Sequence, residues 1–154
     1  MKLFIFISSL AIFLGSVECC GPLFPDDPKE AEVMLITGGR GNGYGLSSVE
    51  VFDPNNSSWF CDLPDMRATR HDHAAAGLTV CGGSGVGGQT CETFNPESGS
   101  WSVSHHLRHR RREHVMWASP EGPVVLGGSS QNSTELLTYD GTTKETFKLL
   151  YSTE

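Results

Sequence analysis

Between His105 and His114 the chain reads His105-His106-Leu107-Arg108-His109-Arg110-Arg111-Arg112-Glu113-His114. This stretch gathers four of the seven arginines and four of the six histidines. The formal net charge is −7, so the segment is a local basic patch, and guanidinium groups at this density suit an anionic partner. Arg108, Arg110, Arg111 and Arg112 are the candidate anion contacts. A sulfated glycan or an acidic protein surface outside the cell is the partner they suggest. The histidines add charge below about pH 6.5. A solvated connection is the alternative reading of the same residues.

Other residue patterns carry less chemistry. His71-Asp72-His73 would place two histidines on one face of a strand, an arrangement able to ligate a metal. His73 recurs as His114, however, each shortly after an arginine, so a structural role is the expectation and no metal is assigned. The Gly-rich runs 38–45 and 82–88 resemble phosphate loops in composition only. Residues 83–88 (GSGVGG) lack the Gly-Lys-Ser/Thr ending, and no helix follows. No Ser/His/Asp or paired-carboxylate set can be assigned from spacing. The expectation is a non-enzyme without catalytic residues or cofactor. An acidic chain is also a poor general nucleic-acid binder, since phosphate neutralisation needs a basic surface.

The N-terminus points to export. Lys2 and the apolar run Leu3–Leu14, broken only by Ser8 and Ser9, read as a secretory signal over residues 1–19. The run is too short for a membrane span, which needs about 20 residues, and no later stretch is apolar enough to cross. Residues 20–32 hold Pro22, Pro25 and Pro28 among several acids and read as an extended linker. Asn55, Asn56 and Asn132 begin Asn-x-Ser/Thr triplets and are candidate glycosylation sites in a secreted protein.

The remaining residues, 33–154, repeat. VMLITGG ends on Gly38-Gly39, and SVEVFDP follows with Phe52, then Trp59. LTVCGG ends on Gly82-Gly83, and CETFNP follows with Phe94, then Trp101. VVLGG ends on Gly127-Gly128, and LLTYDG follows with Tyr139, then Phe147. The Gly-Gly pairs lie 44 and 45 residues apart and the aromatics 42 and 45 apart. A fixed period of this size marks a repeat architecture. Glycine is abundant, 18 of 154 residues, which implies many tight turns and hence many short strands. The apolar run before each glycine pair suits a buried strand, and SVEVF alternates as a half-buried strand does. Asp-Pro, Asn-Pro and Asp-Gly reverse the chain. Met66–His73 and Leu107–His114 are expected to add an Arg/His strand to their copies. Four antiparallel strands per copy make a propeller blade. The fold class is therefore all-β, with blades at about 33–66, 67–107 and 108–151.

The double glycine, the aromatic-Asp-Pro, the spaced Trp and the Met…Arg…His segment together resemble the kelch repeat, over about residues 33–151. The resemblance implies a β-propeller that binds proteins through its loops, here 40–48, 84–90 and 129–134. One branch of the family contains copper radical oxidases of the galactose-oxidase kind. Tyr44, Tyr139 and Tyr151 match no setting of the tyrosine–cysteine cross-link such enzymes need. Three blades fall short of the usual four to eight, and the first lacks its Arg/His strand because the linker stands there. The expectation is a partial ring, either a piece of a longer propeller or a chain that self-associates to complete one.

The five cysteines are Cys19, Cys20, Cys61, Cys81 and Cys91. Cys81 precedes a glycine pair, where the other copies have Thr37 and Leu126. Cys91 lies three residues before the aromatic, where the others have Val49 and Leu136. Such positions neighbour each other across one hairpin, so a Cys81–Cys91 disulfide is expected in an exported protein. Two buried free cysteines are the alternative.

Overall fold

The computed structural model describes residues 10–14, 32–53, 58–96, 98–129 and 131–148; the side chains at 10–14, 32–33, 53, 58–62 and 147–148 lie outside that description. Every regular element in it is a strand. Three four-stranded antiparallel sheets follow one another along the chain.

The first sheet joins β1 (Leu10–Leu14), β2 (Glu32–Thr37), β5 (Val49–Asp53) and β6 (Ser58–Leu63), in that order across the sheet. A short ribbon of β3 (Arg40–Gly41) and β4 (Tyr44–Gly45) extends the loop between β2 and β5. The second sheet holds β7 (Ala74–Ala76), β8 (Thr79–Cys81), β9 (Thr90–Asn95) and β10 (Ser100–His106). The third holds β11 (Val115–Ser119), β12 (Gly122–Leu126), β13 (Ser133–Leu137) and β14 (Thr143–Lys148).

Two apolar clusters join the sheets. Leu35, Val49, Val51, Leu63 and Met66 meet Ala75, Val80, Phe94 and Trp101 between the first and second sheets. Ala74, Ala76, Cys81, Cys91 and Leu107 meet Met116, Val125 and Leu137 between the second and third. The second sheet is therefore covered on both faces, which explains why all of β7 and β8 is buried. Burial of each large side chain in these clusters contributes about 1.5–3 kcal/mol. Trp101 also donates its indole N–H to Pro64 O at 2.9 Å and packs on Phe94 with ring centroids 5.4 Å apart.

Three expectations change. Residues 66–73 and 107–114 are not strands. They are the irregular connections between sheets, and the strand that follows each, β7 or β11, occupies the sheet edge instead. Asp72 and Glu113 adopt positive φ (56° and 54°), which breaks strand alternation at both places. The first sheet does have a fourth strand: the apolar Leu10–Leu14 segment pairs with β2, from Leu10 opposite Ile36 to Leu14 opposite Glu32. An unbroken apolar run without glycine or proline is well suited to that edge. Finally, Tyr139 is not the counterpart of Phe94. It lies in the turn after β13 and is 78% exposed, while Leu137 fills the buried position.

Cys81 and Cys91 stand opposite each other in the β8–β9 register and form a disulfide, with Cα atoms 4.0 Å apart. The third-sheet residue matching Cys91 is Thr134, which pairs with Leu126, rather than Leu136. Replacing both cysteines by alanine is expected to lower stability by about 2–3 kcal/mol, since the bridge closes a short loop. Urea titrations with and without a dithiol reductant check this. A midpoint that reductant leaves unmoved would count against the bridge.

Candidate functional site

The connections between sheets hold most of the polar chemistry, and they do so twice. In residues 70–73 the order is Arg70-His71-Asp72-His73, and in 111–114 it is Arg111-Arg112-Glu113-His114. In both copies the arginine and the last histidine are buried.

Arg70 reaches forward into the second sheet. Its guanidinium donates to Gly82 O, Gly87 O and Thr90 O at 2.6–2.8 Å, to Thr90 Oγ1 at 2.7 Å and to Glu92 Oε1 at 2.8 Å. Arg111 does the same in the third sheet. It donates to Gly127 O at 2.7 Å, Ser133 O at 2.9 Å, Ser133 Oγ at 2.6 Å and Glu135 Oε1 at 2.7 and 2.9 Å. Both ion pairs are fully removed from solvent. The carboxylates also accept backbone N–H groups of the incoming connection. Arg67 and Ala68 donate to Glu92 at 2.6 and 3.1 Å, and Arg108 donates to Glu135 at 2.8 Å. Met66 and Leu107, each four residues before its arginine, bury their side chains in the apolar clusters between the sheets. Each connection is thus clamped by one apolar and one guanidinium anchor.

The Gly-rich run that resembles a phosphate loop is instead an arginine cradle. A Cβ on Gly87 would lie 2.4 Å from Arg70 Cζ, and one on Gly88 would lie 2.7 Å from Arg110 Nη2. Only glycine lets the guanidinium groups come this close.

His71-Asp72-His73 does not form a metal pair. The His73 ring turns inward and meets Thr37 Oγ1 at 2.9 Å, while the His71 ring faces Asp72 at 3.7 Å. Burial, then the neighbouring Arg70 charge, lowers the His73 pKa to about 4. His114 occupies the same place one copy later, where Cys81 stands for Thr37. Neither of its ring nitrogens has a partner, and burial followed by Arg111 lowers its pKa to about 3.

The basic segment therefore divides. Arg111 is committed to Glu135 and is unavailable to a ligand, which removes it from the candidate anion contacts. Arg108, Arg110 and Arg112 are exposed. Arg110 donates to Gly85 O at 2.8 Å. It lines, with Arg111, Arg112, Gly83, Ser84, Gly85 and Ser129, a cavity of about 330 Å³. Arg108 is not among the lining residues. Asp72 and Glu113 sit at the rim, where they accept from Ser84 Oγ and Ser129 Oγ respectively.

The other loop residues lie at the same end. Tyr44 is 79% and Val86 83% exposed, at the tips of the 40–48 and 84–90 loops. Asn132, in the third loop, is exposed; Asn55, Asn56 and Tyr151 lie outside the described residues. Glu92 and Glu135 were not singled out by composition or spacing, yet with Glu50 they recur at intervals of 42 and 43 residues. A carboxylate in a buried strand is rare unless paired, and that recurrence was the available signal.

A scan against protein-family models finds no match, and a search of curated protein sequences finds none.

Proposed function

We propose that the chain is a run of kelch-type propeller blades that acts outside the cell as a non-catalytic protein-binding scaffold. The observation that carries this is the bracing of the loop face. Arg70 fastens Gly87 and Arg110 fastens Gly85, both in the 84–90 loop, so that loop is held from beneath by fixed guanidinium groups. A braced loop loses little conformational freedom on binding, which favours affinity. Exposed Tyr44 and Val86 at the loop tips are the anchors such a surface offers, and tyrosine is enriched among binding hot spots. Export through the 1–19 signal and glycosylation belong to the same reading; removal of that signal would take β1 with it and leave β2 at the edge of the first sheet.

A second reading is favoured by the cavity between the second and third sheets. Arg110 and Arg112 face an opening with room for a sulfate or carboxylate group. Asp72 and Glu113 at its rim oppose that use, so it ranks second.

Photo-crosslinking separates the two. A crosslinking side chain placed at Val86 is expected to capture a protein partner from the extracellular medium, and one at Glu121, at the far end of the sheets, is not. Equal capture at both positions overturns the scaffold reading. Retention on heparin at physiological salt that is lost in Arg110→Ala/Arg112→Ala, without protein capture at Val86, would establish the second reading in its place.

A further inference from the structure

The clamp that recurs in the second and third sheets has a third copy of its acceptors in the first, unfilled among the described residues. In the second sheet the guanidinium is held by Gly82 O, Thr90 O, Thr90 Oγ1 and the Glu92 carboxylate. In the third the acceptors are Gly127 O, Ser133 O, Ser133 Oγ and Glu135.

Register identifies the equivalents in the first sheet. Gly82 N–H donates to Thr90 O, Gly127 N–H to Ser133 O, and Gly38 N–H to Ser48 O. Glu92 pairs with Val80 and Glu135 with Val125, each two residues before its glycine pair; Glu50 pairs with Ile36, also two before. The first sheet therefore carries the same four acceptors: Gly38 O, Ser48 O, Ser48 Oγ and the Glu50 carboxylate.

No guanidinium meets them among the described residues. Arg40, the first arginine in the sequence, lies beyond Gly38 in β3, where its side chain is exposed. Glu50 is half-buried rather than sealed, in contrast to Glu92 and Glu135. It shares its face of the sheet with Ile36, Met34 and Phe52, all half-buried. The opposite face, with Leu35, Val49 and Val51, is covered by the second sheet.

We infer that this face is a binding site for an arginine-bearing segment of another protein chain. The required chemistry is legible in the two filled copies. The segment is extended and places an apolar side chain four residues before the arginine, as Met66 and Leu107 do. Its backbone N–H groups just after the apolar residue donate to the carboxylate, as those of Arg67, Ala68 and Arg108 do. A guanidinium is needed rather than an ammonium, because several acceptors must be met in one plane. The site is on the flank of the first sheet, apart from the loop face, and stands independently of the reading given above.

The test is titration of the full chain with a labelled peptide of the sequence of residues 64–74 (PDMRATRHDHA), followed by fluorescence anisotropy. Saturable binding is expected. It should weaken about tenfold or more, a change of about 1.4 kcal/mol, in the Glu50→Gln protein, and likewise when lysine replaces the peptide arginine matching Arg70. Ser48→Ala is a second, milder variant and is expected to weaken binding in the same direction. Thermal melts of both variants should match the parent, because Glu50 has no ion pair among the described residues to lose. Absence of saturable binding at about 1 mM peptide overturns the inference. So does binding that Glu50→Gln leaves unchanged, which would put the peptide elsewhere, such as on the second sheet in place of the chain's own segment. Self-association of the protein that both excess peptide and Glu50→Gln abolish would make a second copy the occupant and overturn the assignment to a different protein.

Discussion

Arg111→Ala is expected to destabilise the protein by about 3–5 kcal/mol, because it strands the Glu135 carboxylate without a counter-charge in a site closed to water. The same substitution leaves Gly127 O, Ser133 O and Ser133 Oγ short of a donor. Arg108→Ala and Arg112→Ala, three positions before and one after it in the same basic run, remove exposed side chains and are expected to stay within about 0.5 kcal/mol. Urea unfolding of the three variants checks this directly. Similar losses in all three would mean that Arg111 is no more structural than its neighbours. Removing both charges together, Arg111→Met with Glu135→Leu, should cost less than Arg111→Ala alone, because no buried charge remains unpaired. The carbonyl and hydroxyl groups still lose partners, so the double variant should not recover fully.

Acid should open the junctions between sheets before it affects the rest. His73 and His114 have folded pKa values of about 4 and about 3, against an ordinary value of 6.5. Both are depressed, so the neutral ring is the form the fold accepts. Between the folded and unfolded pKa values the unfolded chain binds more protons, and stability therefore falls as pH falls. The contribution is complete above about pH 6.5. It is withdrawn through the window from 6.5 to about 4 for His73, and to about 3 for His114. At about 1.4 kcal/mol per unit, the loss is about 3 kcal/mol for His73 and about 5 kcal/mol for His114. A protein with a total of about 5–15 kcal/mol is expected to lose a large share of its stability in the lower part of that window. Melting temperature measured from pH 7 to pH 4 should drop steeply, and His114→Phe should flatten the slope. A melting temperature constant across that range would contradict the burial of both rings.

The repeating strands were legible because their signals are local. The glycine pairs mark where β2, β8 and β12 end, and the alternation in β5 and the turns after β5 and β9 need only a few residues to declare themselves. The Cys81–Cys91 bridge followed from the same repetition. What escaped was long-range. Met66–His73 and Leu107–His114 looked like strands because they recur, but what recurs is an arginine turning into the next sheet. That depends on carboxylates 22 and 24 residues further on. Tyr139 aligns with Phe52 and Phe94 in the sequence because its Asp-Gly neighbour resembles the turns of the other copies. The burial of Leu137 shows that the hydrophobic position lies two residues earlier. Leu10–Leu14 carries an apolar signal that serves equally for export and for a sheet edge. The basic patch, read as one feature, contains one arginine that holds the fold and three that face solvent.

The clamps also give the chain a direction in time. Each arginine enters the sheet that follows it and never the one before. During synthesis Arg70 leaves the ribosome 22 residues ahead of Glu92, and Arg111 leaves 24 ahead of Glu135. At about 5–20 residues per second each guanidinium waits about 1–5 seconds, fully hydrated, until its acceptor emerges. The junctions therefore lock from the N-terminus towards the C-terminus, each fixing the preceding sheet to the newest one. A pause in translation just after residue 70 or 111 would leave the corresponding lock open for as long as it lasts.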